Sequence, residues 1–143
     1  MYKKILVPTD GTKFSEKSEE HALLIAEALG SEVIGLSVVD TSFLNGLPAD
    51  DTIYEINQIL KKESEKNLKR FENIKKEKNS NVKIKTISIE GSPADTIIEV
   101  GEKEDVDLIV IGSSGKTGLQ KFLMGSVAEK VVKLAKSNVL IVH

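Results

Sequence analysis

The chain has no cysteine and only two histidines in 143 residues. The first absence removes disulfides, thiolate zinc sites and cysteine nucleophiles together, and is compatible with a reducing compartment. The second leaves little from which to build a histidine metal site or a catalytic triad, since His21 falls inside a helical pattern, where a helix-face position is expected, and His143 is the last residue. Excess charge of one sign is also lacking. With 22 Asp and Glu against 20 Lys and Arg, a formal charge of −2, no polyanion-binding surface and no nucleic-acid partner are expected. Long apolar runs are missing too. The start, MYKKILVPTD, holds three apolar residues before Pro8, too few for the hydrophobic segment of a signal peptide, and no run approaches the ~20 residues that span a bilayer. A soluble, cytoplasmic protein without a membrane partner is expected. No internal repeat or composition break divides the chain, so residues 1–143 are read as one domain, long enough to bury roughly two thirds of its extended surface.

What is present is a regular alternation of two patterns. Ile5 to Val7 is a short apolar run stopped by Pro8-Thr9-Asp10-Gly11; because it does not alternate with polar residues, it predicts a strand buried on both faces. From Ser15 to Leu29 the spacing of Ala22, Ile25, Ala26 and Leu29 predicts a helix, with Ser15 as its cap and Gly30 as its stop. Val33 to Val39 predicts a second buried strand. Thr41 to Asp51, with Gly46 and Pro48, reads as a mobile connection. A long amphipathic helix follows, its stripe formed by Ile53, Ile56, Leu60, Leu68, Phe71 and Ile74, and its lysine-rich end suits a helix C-terminus. Val82 to Ile89 alternates with lysines, as an edge strand does. Ser92-Pro93 with Asp95 signals a helix start, Leu108 to Ile111 a fourth strand ending on Gly112, Val127, Val131, Leu134 and Ala135 the buried stripe of a last helix, and Val139 to Val142 a fifth strand.

Strands alternating with helices specify a single α/β domain with a mostly parallel sheet. In such sheets a ligand sits beyond the carboxyl ends of the strands, where strand order reverses. If the first and fourth strands are neighbours there, Asp10 and Gly112 come together. The stretch after the fourth strand, Gly112-Ser113-Ser114-Gly115-Lys116-Thr117, invites several readings. Gly115-Lys116-Thr117 resembles the tail of a Walker A loop, but that motif needs a glycine at position 110, which is valine. A G-x-S-x-G nucleophile elbow fails at Lys116, and no histidine follows in a triad position. What remains is Gly112 and Gly115, nine intervening residues, then Gly125-Ser126. Glycines let a backbone approach a phosphate closely, and a helix opening at Gly125-Ser126 offers unpaired N–H groups to an anion. Ser126 with Glu129 also spells a capping box, and Lys116 is expected to be a solvated loop lysine.

Val7-Pro8-Thr9-Asp10-Gly11 with the Ser15 to Ala26 helix, Gly91-Ser92-Pro93-Ala94, and Gly112-Ser113-Ser114-Gly115 with Gly125-Ser126 together resemble the universal stress protein family, in its nucleotide-binding form, over essentially the whole chain. The expected architecture is an open five-stranded parallel sheet with helices on both faces, Rossmann-like, in strand order 3-2-1-4-5. The resemblance implies that Asp10 contacts the ribose and adenine side of an ATP molecule, with Pro8 and Thr9 lining the same crevice. It implies that Val38 borders the adenine, and that Gly112, Ser113, Ser114, Gly115, Gly125, Ser126 and Val127 surround the phosphates. A divalent cation, magnesium or manganese, is expected with them, since Asp10 and a triphosphate would otherwise repel. It further implies a homodimer through the last strand, Val139, Leu140, Ile141 and Val142, which as an uncovered apolar edge would be an aggregation hazard. Two positions depart from the family pattern: Ser114 stands where many nucleotide-binding relatives carry histidine or arginine, and Asn138 where proline is common.

No catalytic residue is assigned, because no general base, activated nucleophile or carboxylate pair is evident. The reading is therefore an ATP-binding regulator or switch with slow or no hydrolysis, acting on an unidentified protein partner. Two alternatives stay open: a metal-assisted ATPase or phosphotransferase using Asp10, and a dimeric interaction module independent of nucleotide.

Overall fold

The computed structural model describes residues 1–113 and 125–143. Its elements run β1 (Lys4–Pro8), α1 (Lys13–Leu29), β2 (Glu32–Val39), a 3-10 turn (Ser42–Leu44), α2 (Asp51–Glu77), β3 (Ile84–Glu90), α3 (Pro93–Lys103), β4 (Leu108–Gly112), α4 (Ser126–Leu134) and β5 (Asn138–Val142). The strands form one parallel sheet in the order β3-β2-β1-β4-β5. This is the expected order, with β1 and β4 adjacent at the point of reversal.

The non-alternating apolar runs acquire their reason from the two cores. Successive residues of a strand point to opposite faces, and here both faces are covered. Ile5, Val7, Val33, Leu108 and Val110 pack under α1 and α2 against Ala22, Leu23, Ala26 and Phe71. Leu6, Ile34, Leu36, Ile109 and Ile111 pack on the other face against Ala94, Ile97 and Val100 of α3 and Ala128 and Val131 of α4. Phe71 is fully buried, which contributes about 1.5–3 kcal/mol, and Gly35 makes room for it: a Cβ there would lie 2.6 Å from Phe71 Cδ1.

Several local expectations are corrected. The cap of α1 is Thr12, whose hydroxyl accepts from Ser15 N–H; the turn at Asp10 places Thr12 in extended backbone one turn earlier than the apolar periodicity begins. Gly30 does end that helix, in the left-handed region at φ 70°. Ser92 occupies the N-cap of α3 without a side-chain bond. The capping box at Ser126 does not form, because Gly125 is the N-cap and Ser126 the first helical residue, while Glu129 pairs with Lys133 at 2.9 Å. Leu134 is 56% exposed and Ala128 takes its place in the core. The connection from Thr41 to Asp51 contains the 3-10 turn, and Asp50 caps α2 by accepting from Ile53 N–H at 3.1 Å.

Candidate functional site

At the carboxyl end of β1 the chain must leave the sheet, and Pro8-Thr9-Asp10-Gly11 accomplishes this with a defined set of bonds. Thr9 N–H donates to Leu36 O at 2.8 Å, carrying the ladder one residue past the strand. Asp10 Oδ1 accepts from both the N–H and the hydroxyl of Thr12, which starts α1 and leaves Oδ2 without a hydrogen bond among the described residues. Gly11 takes φ +78°, and its carbonyl accepts from Arg70 Nη1 of α2 at 2.7 Å.

The neighbouring strand ends in a matching way. Ser113 N–H donates to Val142 O at 2.8 Å, and Gly125 N–H donates to Ser113 O at 2.6 Å. The second bond draws Gly125-Ser126 up against Gly112-Ser113, so the two glycine segments, twelve residues apart from Ser113 to Gly125, form one surface. Among the described residues no side chain caps α4. Its first N–H groups, on Ser126, Val127 and Ala128, are donors that the helix itself cannot satisfy.

Between these two strand ends lies a cavity of about 600 Å³, within the usual size of a small-molecule site, roughly 300–1,000 Å³. Its walls include Pro8, Thr9 and Asp10, then Val38 beside Leu36 and Asp40 at the end of β2, then Gly112, Ser113, Gly125, Ser126 and Val127. Nine of the eleven residues expected at the site are thus brought together; Ser114 and Gly115 lie outside the described residues. A second groove, about 540 Å³, opens at the opposite end of the sheet beside Glu102, Asp105 and Asp107. Asp107 is committed there to structure: its carboxylate accepts from Lys4 N–H and Lys3 N–H, and the bond from Lys4 foremost holds it below the usual carboxylate range.

The cavity also has walls that sequence reasoning did not supply. Leu60, Glu63, Ser64 and Asn67 line it from α2, Pro93 and Ile97 from α3, and Phe43 from the 3-10 turn. Phe43 is 62% exposed, whereas the adjoining Leu44 is buried and anchors the turn. A signal for the α2 wall does exist in the chain, because Ser64 and Asn67 are polar residues on the same helical stripe as Leu60, Leu68 and Phe71. Ser64 Oγ meets Ser88 Oγ at 2.7 Å, which fixes α2 on β3.

Beneath the floor lies an acidic group that was also missed. Glu19 of α1 accepts a hydrogen bond from Thr9 Oγ1, and Ser15 Oγ lies 3.3 Å from the same hydroxyl. Burial pushes the Glu19 carboxyl up to about 7, with Glu16 and Asp10 adding to the rise and Thr9 and Arg70 opposing it. Tertiary packing thus sets the Thr9 hydroxyl against a carboxyl ten residues further along the chain. Among the described residues no group of three or more His, Cys, Asp or Glu is placed to hold a metal ion, and no helix is long and apolar enough to cross a membrane.

Comparison with known proteins gives a consistent result over the full length. The universal stress protein family model matches residues 1–143. The chain is 45% identical over 142 residues to the universal stress protein MJ0531 of Methanocaldococcus jannaschii, covering 99% of this chain and 82% of that protein. Among solved structures it resembles the hypothetical protein MJ0577 of the same organism, with a TM-score of 0.80, 38% identity and coverage of 99% and 96% of the two chains. It also resembles a universal stress protein solved in complex with cAMP, with a TM-score of 0.64, 25% identity and coverage of 99% and 97%. With this sheet order, these strand-end turns and a family match from the first residue to the last, the chain belongs to the universal stress protein family.

Proposed function

We propose that the cavity binds an adenine nucleotide, with ATP the leading ligand, and that the protein acts as a nucleotide-dependent regulator with slow or no hydrolysis. The observation that carries this reading is the 2.6 Å bond from Gly125 N–H to Ser113 O, which holds the helix start, with the open N–H groups of Ser126, Val127 and Ala128, against a glycine strand end in the same cavity as Asp10. Such a surface favours phosphate by hydrogen bonding and by the helix's partial positive charge. The polar, carboxylate-bearing wall at Asp10 and the apolar wall at Val38 then suit ribose and base, in that order from the phosphates. The relative solved with cAMP supports the same ligand class.

In this reading Pro8, Thr9 and Asp10 border the ribose and adenine, Val38 offers backbone groups to the base, and Gly112, Ser113, Gly125, Ser126 and Val127, with Ser114 and Gly115, surround the phosphates. Magnesium or manganese neutralises the phosphates against Asp10; lacking a carboxylate cage among the described residues, it takes its ligands chiefly from phosphate oxygens and water, as small hard cations do. A cytoplasmic homodimer through β5 completes the proposal. β5 is an edge strand of the sheet and Leu140 at its centre is 36% exposed.

The deciding experiment is to heat-denature protein purified without added nucleotide, identify what it releases by mass spectrometry, and titrate the protein with ATP by calorimetry. Adenine nucleotide in the supernatant and binding at micromolar protein are expected. Absence of both would remove the nucleotide reading and favour an interaction module. Turnover above about one per second would place the protein among ordinary enzymes instead.

A further inference from the structure

Glu19 is 2% exposed, and its Oε2 has no hydrogen-bond partner among the described residues. Acidic side chains are rarely buried without a cation beside them. Here Oε1 meets the Thr9 hydroxyl, and Thr9 lines the cavity. We infer that Glu19 is a positioning residue for the nucleotide site: the proton on its carboxyl sets the direction of a hydrogen-bond chain running through Thr9 and Ser15 to Thr12, and so links occupancy of the cavity to proton uptake. This rests on the nucleotide reading above.

The chain can be followed one hydrogen at a time, since each hydroxyl has a single proton to donate. Ser15 Oγ lies 2.9 Å from Thr12 O and 3.3 Å from Thr9 Oγ1. With Glu19 neutral, its O–H donates to Thr9, Thr9 donates to Ser15, and Ser15 donates to the Thr12 carbonyl. Every hydrogen is used, and the atom left over is the uncharged carboxyl oxygen. With Glu19 ionised, Thr9 must donate to the carboxylate. Ser15 then serves either Thr9 or Thr12, and a charged oxygen is left buried and unpaired, the costly arrangement. Thr12 also caps α1 and binds Asp10 Oδ1 through its hydroxyl and N–H. The order of the chain is therefore felt at the turn that carries Asp10.

The surrounding charges leave the two forms close in energy near neutrality. Glu16 on α1 and Asp10 in the turn disfavour the ionised form, and Arg70 of α2 favours it. β4 and β5, against which α1 also packs, carry no ionisable residue, while Lys4 of β1 and Glu32 of β2 stand at the far ends of their strands. A nucleotide brings several negative charges to the cavity and so favours the neutral carboxyl. By reciprocity, protonation of Glu19 strengthens nucleotide binding.

The test is calorimetric titration of ATP into the wild type and Glu19→Gln at about pH 6 and pH 8, each in two buffers of different ionisation enthalpy. The amide of glutamine donates to Thr9 as the neutral acid does. ATP's own terminal phosphate also titrates in this range, so the readout is the difference between the two proteins. The wild type is expected to gain about fivefold in affinity at the lower pH relative to Glu19→Gln, the low end of site-to-site coupling, and to take up protons that the variant does not. Carbon NMR of the Glu19 carboxyl in the wild type, which needs no variant, should show it titrating near neutrality and shifting upward with ATP. Identical pH dependence in the two proteins, or a carboxyl titrating below about pH 5, overturns the inference while leaving nucleotide binding intact. No ATP binding at either pH overturns the nucleotide reading itself, and this link falls with it.

Discussion

Gly11 and Asn67 are packed so closely that a Cβ on Gly11 would lie 2.3 Å from Asn67 Oδ1. The contact joins the β1–α1 turn to α2 at the cavity, and the bond from Arg70 Nη1 to Gly11 O lies one helical turn further along. Glycine is required there twice over, for space and for φ +78°. Gly11→Ala should cost about 1–2 kcal/mol from the backbone alone, plus the displacement of Asn67. Adding Asn67→Ala should recover the steric part and leave the backbone part. Denaturant titration of the single and double variants measures both, and a Gly11→Ala protein as stable as the wild type would show that the turn is not held as described.

The Glu19 carboxyl, raised from 4.5 to about 7, makes stability depend on pH in a stated direction. Because the folded state favours the protonated form, the group's contribution is fully present below about pH 4.5 and is lost as pH rises to about 7. Between pH 5 and pH 8 the wild type should lose on the order of 3 kcal/mol more than Glu19→Gln. Parallel stability profiles for the two proteins would contradict this.

Ser126 is the first helical residue of α4, preceded by Gly125 at φ −63° and ψ 156°, an extended conformation compatible with a following proline. Ser126→Pro should therefore leave folding intact while deleting one N–H from the donor surface. Loss of a hydrogen bond to a charged group is worth about 1.5–3 kcal/mol, so ATP affinity should fall at least tenfold by calorimetry with an unchanged melting temperature. Unchanged affinity would move the phosphates away from α4.

Phe43, on the turn after β2, offers an aromatic face at the cavity rim. Stacking of a base on such a ring is worth about 1–3 kcal/mol. Phe43→Ala should weaken AMP binding by roughly that amount, leave inorganic triphosphate binding unaltered, and leave stability close to that of the wild type. Equal losses for both ligands would assign Phe43 a structural role instead.

Leu140→Lys places a charge at the middle of β5, whose outer edge has no partner strand among the described residues. Monomers by sedimentation are expected if β5 forms the dimer. A dimer unaffected by the change would assign the contact to another surface.

Much of this molecule was legible along the chain because its signals are local. Ile5-Leu6-Val7 and Leu108 to Ile111 announce strands covered on both faces by the absence of alternation, and Gly30 and Pro93 mark helix ends whatever surrounds them. The pattern of Gly112, Ser113, Gly125 and Ser126 likewise marks where the chain leaves a buried strand and enters a helix, and the structure sets these four residues on one cavity wall. Where capping had to be chosen among several hydroxyls, the reading failed: Thr12 rather than Ser15 starts α1 because Asp10 captures Thr12 in the turn.

What the sequence by itself determined is the class of fold and the order of its elements, consequences of periodicities and backbone preferences that act over a few residues, while Pro8, Thr9, Val38 and Val127 were expected at the site only through the family resemblance. Only the tertiary structure decided that Gly125 closes on Ser113, that Phe43, Ser64 and Asn67 complete the cavity, and that Glu19 lies buried under Thr9. Glu19 sits in an ordinary helical stretch among other acidic residues, and nothing nearby in the chain marks it. Its environment is made by β1 and α2 arriving from elsewhere, and desolvation by distant segments has no local signature.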